Sequence, residues 1–81
     1  MASVADFRVT MIKAQMTSDE MYIKAMWGTI QGVMPMMKDK TVDMDYRLVI
    51  EGRIKTWHAL MLDAQAHHAK LKVQLKALLV K

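Results

Sequence analysis

Apolar residues recur in the C-terminal half of the chain in alternating steps of four and three residues, from residue 50 to residue 78. Such steps keep side chains on one side of an α-helix, as in a coiled coil. Eight of the nine positions are apolar, and no proline interrupts them. The pattern predicts one long amphipathic helix over residues 43–80. We call its nine positions the C-terminal seam: Ile50, Ile54, Trp57, Met61, Ala64, His68, Leu71, Leu75 and Leu78.

The N-terminal half carries a comparable pattern, in which ten of eleven positions are apolar. The exception, Asp19, lies within Thr17-Ser18-Asp19-Glu20, a sequence typical of a capping box at a helix start. We therefore expect a helix to begin at residue 17 or 18. Residues 3–16 are then predicted to form a short extra helix capped by Ser3, with a strand as the alternative. The N-terminal seam comprises Ala2, Ala5, Val9, Ile12, Met16, Asp19, Ile23, Met26, Ile30, Val33 and Met37.

A break separates the two halves. Pro35 disfavours a helical conformation in the residue before it, and the charged run 38–40 follows. Thr41 and Asp43 are suitable N-caps for the next helix. These signals predict an N-terminal arm over 3–34, a loop over 35–42 and the long helix over 43–80. The predicted fold is a single all-α domain over 1–81, a helical hairpin with coiled-coil-like packing.

The length of the second helix favours self-association. Thirty-eight residues would extend about 57 Å, which a short helix could not cover. A second apolar row is expected beside the C-terminal seam, and one hairpin cannot cover both. The chain has 81 residues and no cysteine, so no disulfide assists a small core. We expect a homo-oligomer. The second row contains Ala59, Leu62, Ala66, Ala69, Val73 and Val80, interrupted by Lys76.

The net charge of +4 is concentrated in the second half, where residues 53–81 hold six basic residues and one acidic residue. Basic residues toward the end of a helix complement its macrodipole. The same residues could instead contact an anionic partner such as nucleic acid. The candidate contacts are Arg53, Lys55, Lys70, Lys72 and Lys76.

Few residues suggest a catalytic, phosphate-binding or metal-binding site. Ser3 and Ser18 are accounted for as helix caps, and no glycine loop that could hold phosphate is present. Asp63 and His67, four residues apart, indicate an exposed ion pair rather than a metal site, because further ligands are missing. His68 could set the register of the seam, or make an assembly sensitive to pH. We expect no enzymatic activity, no cofactor and no metal.

Two further features bear on location and contacts. The uncharged segment 25–37 is shorter than the roughly 20 residues that cross a bilayer. Within this segment, Gly28 and Gly32 predict that the second helix approaches closely. Asp6 and Arg8 stand where a secretory signal would be apolar. We expect a cytoplasmic protein, or a virion component if the source is viral, without a membrane partner.

The predicted function is that of a small helical module for protein–protein interaction and assembly. It would act through the C-terminal seam, by self-association or by docking on a larger protein. The alternative is a small basic protein that binds nucleic acid through the second helix.

Overall fold

The computed structural model describes residues 3–80 and consists of two antiparallel helices, α1 (Val4–Lys38) and α2 (Met44–Leu79). This confirms the predicted all-α helical hairpin. The molecule measures 62 × 18 × 14 Å, and its radius of gyration of 18.4 Å exceeds the roughly 12 Å of a compact chain of this length. The hairpin is therefore a long, thin rod with a large surface for its volume.

Helix α1 begins where a local hydrogen-bond exchange caps it. The Ser3 hydroxyl accepts a hydrogen bond from the Asp6 backbone N–H at 3.1 Å, and the Asp6 carboxylate accepts one from the Ser3 backbone N–H at 3.2 Å. This reciprocal pair satisfies donors that the first helical turn leaves free. The expectation that Ser3 caps the first helix is confirmed.

The helix start predicted at residue 17 or 18 is wrong, because α1 runs through this segment without interruption. The Thr17 hydroxyl does not cap a helix. It donates a hydrogen bond to the Lys13 carbonyl, 3.0 Å away, as threonine does inside a helix. No separate short helix or strand therefore exists over residues 3–16.

The predicted break before Pro35 is also wrong, since α1 continues to Lys38 and the loop is confined to residues 39–43. Pro35 lacks the N–H that would bond to the carbonyl of Gln31. Both residues are exposed, so water can reach that carbonyl, and only three helical residues follow the proline. The cost of a proline is smaller there than in the middle of a buried helix.

The loop is held by short-range hydrogen bonds. The Asp39 carboxylate accepts bonds from the Thr41 hydroxyl at 2.6 Å and the Thr41 backbone N–H at 2.9 Å. These bonds, with a smaller contribution from the charge of Arg47, hold the pKa of Asp39 below its ordinary value of 3.8. Asp43 then caps α2 by accepting a bond from the Asp45 N–H. The second helix thus starts and ends within one residue of its predicted limits.

The core lies between the two seams. The buried hydrophobic residues of the described chain are Ile30, Ile50, Met61 and Leu71, with exposed fractions of 3, 4, 7 and 5%. All four are seam positions. From Val9 to Met37 every N-terminal seam position is at least half-buried, whereas Ala5 is exposed and Ala2 lies outside the described residues. The core is one layer of side chains shared by two helices.

The glycines do not mark contacts between the helices. A Cβ atom placed on Gly28, Gly32 or Gly52 would meet no atom of the chain within 4 Å, apart from each helix's own neighbouring backbone. The predicted close approach of α2 at Gly28 and Gly32 is therefore wrong. The helices meet along the seams, and both glycines lie away from the N-terminal seam.

Candidate functional site

The C-terminal seam packs against α1 of the same chain. Ile50, Met61 and Leu71 are buried, and the other six seam residues are half-buried: Ile54, Trp57, Ala64, His68, Leu75 and Leu78. These nine residues, predicted as a contact surface for another molecule, form half of the hairpin's own core. Their role in contacts between molecules stays a prediction. The candidate surfaces therefore have to be sought on the outward sides of the helices.

Four polar side chains join the helices near their middle, and we call them the carboxylate–imidazole layer. His67 Nδ1 lies 2.6 Å from Asp19 Oδ2, and His68 Nε2 lies 2.9 Å from Glu20 Oε1. Asp19 and His68 are the polar exceptions of the two seams. Each of these two residues therefore pairs with a residue of the other helix, and the two pairs lie next to each other.

The carboxylate–imidazole layer gives both histidines a partner on the other helix. His67 pairs with Asp19 on the other helix rather than with Asp63 on its own helix. His68 faces Glu20 of the same chain, so its partner is a carboxylate. We expect the layer to set the register of the two helices, because a slip would leave Asp19 and His68, the less exposed member of each pair, without their partners. The layer therefore has a structural explanation within one hairpin.

The second apolar row of α2 lies on the outer side of the helix rather than beside the seam. Each member lies two residues from a seam position, which turns it about 160° around the helix axis. All its members are exposed. The outer row of α2 contains Leu48, Gly52, Lys55, Ala59, Leu62, Ala66, Ala69, Val73 and Lys76, and Val80 follows directly after the helix.

A matching outer row runs along α1, and the sequence interpretation missed it. Its residues lie two positions before or after every second member of the N-terminal seam. This regular offset is the sequence feature from which the row could have been predicted. All ten are exposed and none is charged. Phe7 and Met21 keep 64 and 68% of their surface in solvent. The outer row of α1 contains Val4, Phe7, Met11, Ala14, Ser18, Met21, Ala25, Gly28, Gly32 and Pro35.

The five basic candidate residues are exposed but lie on different sides of α2. Lys55 and Lys76 belong to the outer row, where Lys55 pairs with Glu51 at 3.5 Å. In the repeat that defines the seam, Arg53 and Lys70 lie on one flank and Lys72 on the opposite flank. The helix therefore brings them to no common face. Binding of nucleic acid by these residues stays an untested prediction.

One flank of the hairpin carries an exposed aromatic side chain. Trp27 lines a shallow groove with Ile23 of α1 and Met61 of α2. His68 and Glu20 of the carboxylate–imidazole layer border the same groove. Tyr22 is exposed as well. Both aromatic residues are suited to contacts with another protein.

Within residues 3–80, no group of three or more histidine, aspartate or glutamate side chains is placed to hold a metal ion. Neither helix, over the same residues, has a stretch long and apolar enough to cross a bilayer.

Comparisons of the chain with protein-family models, with curated proteins and with solved structures found no match.

Proposed function

We propose that this protein is a helical assembly module that associates with further copies of itself through the outer sides of its hairpin. The observation that carries the proposal is the outer row of α1. It extends from Val4 to Pro35, about 47 Å, without a charged side chain. A helix whose only partner were α2 would have no physical reason to keep a continuous exposed row free of charge over this length.

The second supporting observation is the distribution of apolar surface. Four hydrophobic residues of the described chain are buried, whereas sixteen large hydrophobic residues are exposed. Burying one such side chain fully contributes about 1.5–3 kcal/mol. Extended apolar surfaces of this kind mark contact sites on soluble proteins. Association would bury more apolar surface than the hairpin alone can.

Self-association is favoured over a single unrelated partner by the presence of two outer rows. The rows lie on α1 and α2 and face away from each other, so the hairpin exposes an apolar edge on both sides. The apolar edge of one copy could therefore be covered by an apolar edge of another copy.

The test is the solution mass of the whole chain, measured by sedimentation across a wide range of concentrations. We expect a defined multiple of 9.3 kDa that persists at high salt, because apolar association does not depend on charge. A mass of 9.3 kDa at every concentration would overturn the proposal.

A further inference from the structure

We infer that the outer row of α1 packs antiparallel against the same row of a second copy, about a twofold axis near Met21. This inference rests on the proposed self-association and adds the surface and the direction of pairing. The occupant of the row is α1 of another chain. The outer row of α2 stays exposed on both outer edges of the resulting dimer.

Charge selects this occupant over the other apolar row of the molecule. The outer row of α2 contains Lys55 and Lys76, and the outer row of α1 has no carboxylate to meet them. Pairing α1 with α2 would remove the Lys76 ammonium group from water with no carboxylate opposite it on α1, and Lys55 would keep only Glu51 of its own helix as a counter-charge. Pairing α1 with α1 brings together two surfaces without charge, and antiparallel helix dipoles also attract.

Shape selects the antiparallel direction. Bulky residues occupy the first half of the row, at Phe7 and Met11, whereas Gly28 and Gly32 occupy the second half. Antiparallel pairing centred on Met21 places Phe7 opposite Pro35 and Met11 opposite Gly32. Parallel pairing would place large residues against each other at one end and leave a gap at the other. Close packing requires large residues to face small ones.

The same arrangement explains the two glycines. Glycine inside a helix is unfavourable relative to alanine, yet Gly28 and Gly32 make room for nothing within their own chain. In the antiparallel dimer they would admit Ala14 and Met11 of the second copy.

The flanks of the row are compatible with this register. Among them, Lys24 would face Thr17 of the second copy, and Arg8 would face Met36, so no like charges meet. Tyr22 lies beside the axis and would approach the Tyr22 of the second copy.

The available area is sufficient for a specific dimer. A strip about 47 Å long and about 12 Å wide covers roughly 560 Å² on each copy, so that the pair would bury about 1,100 Å². Specific interfaces start at roughly 1,000 Å². The dimer would therefore lie at the lower end of that range, with an affinity sensitive to single substitutions in the row.

Direction is tested by cross-linking, because the chain has no cysteine of its own. Under mild oxidation we expect Met21→Cys to form a disulfide-linked dimer, since the two copies meet at this residue. Met11→Cys should not link to itself but should link to Gly32→Cys when the two variants are mixed. Efficient self-linking of Met11→Cys, or none at Met21→Cys, would overturn the antiparallel pairing. Ala66→Cys on α2 is the control: it should still associate but should form no disulfide-linked dimer.

The surface is tested by a matched pair of substitutions, Ala25→Glu on α1 and Ala66→Glu on α2, both at exposed outer positions. We expect Ala25→Glu to weaken association at least about tenfold, because it buries a charge, and Ala66→Glu to leave it unchanged. Gly28→Ala should also weaken association while helix content is retained, unlike Gly52→Ala on α2. If the wild-type chain associates and only Ala66→Glu disrupts it, this inference fails and the proposed function stands. If the wild-type chain is a monomer, both fail.

Discussion

Asp39 and Thr41 show how a loop of five residues controls the charge of one carboxyl group. The Thr41 hydroxyl and backbone N–H both donate to the Asp39 carboxylate, which lowers its pKa. Because the pKa is lower in the folded chain than in the unfolded chain, ionised Asp39 stabilises the fold. This contribution is present above pH 3.8 and is lost as the pH falls through the pKa of the folded state.

The first prediction concerns the Asp39 pKa. Replacing Thr41 by valine removes the hydroxyl donor and leaves the backbone donor in place, so the pKa should rise toward 3.8 without reaching it. Titration of the Asp39 carboxyl carbon by NMR measures the change. Thr41→Ser is the control, since it retains both donors and should keep the low value. An unchanged pKa in Thr41→Val would show that the hydroxyl is not the principal cause.

At the level of the helices, the carboxylate–imidazole layer links α1 to α2. Its pairs, Asp19 with His67 and Glu20 with His68, join residues 48 positions apart. All four side chains keep some contact with solvent, and such pairs contribute only about 0.2–1 kcal/mol each. The layer therefore contributes alignment more than stability.

The second prediction concerns how the carboxylate–imidazole layer affects the free energy of unfolding and the alignment of α1 with α2. The double variant Asp19→Leu, His68→Leu completes both seams with apolar residues. We expect the free energy of unfolding in urea to rise by roughly 1–3 kcal/mol. Amide NMR spectra should at the same time show more than one alignment of the helices. A fall in stability would mean that the pairs contribute more than the leucines do.

At the scale of the whole molecule, the hairpin has one thin core and two exposed edges. A rod of 62 × 18 × 14 Å leaves most side chains in contact with solvent. Substitutions of the same kind should therefore have very different effects in the core and on the edges, even a few residues apart along α2.

The third prediction uses two leucines of α2 that differ mainly in burial, Leu71 at 5% exposed and Leu62 at 49%. Leu71→Ala should lower the free energy of unfolding by about 2–5 kcal/mol, as expected for a buried leucine. Leu62→Ala should lower it by less than about 1 kcal/mol. Urea denaturation followed by circular dichroism measures both. Equal losses would indicate that the outer row of α2 is also covered by a second copy.

Features that depend on spacing within a few residues could be predicted from the amino-acid sequence alone. The two seams predicted which sides of α1 and α2 turn inward, and their buried members, such as Ile30 and Ile50, are seam positions. The caps at Ser3 and Asp43 were predictable because a cap involves only a side chain and the backbone two or three residues away.

Features that involve residues far apart in the chain follow only from the way the two helices pack together. Residues 17–20 have the local pattern of a helix start, but α1 continues through them without interruption. Asp19 and Glu20 instead contact His67 and His68 of α2. The exposure of the outer row of α1 likewise depends on the position of α2, which packs against the opposite side of the helix. Local periodicity orders residues around one helix axis, and only the position of the second helix decides which of those residues are buried.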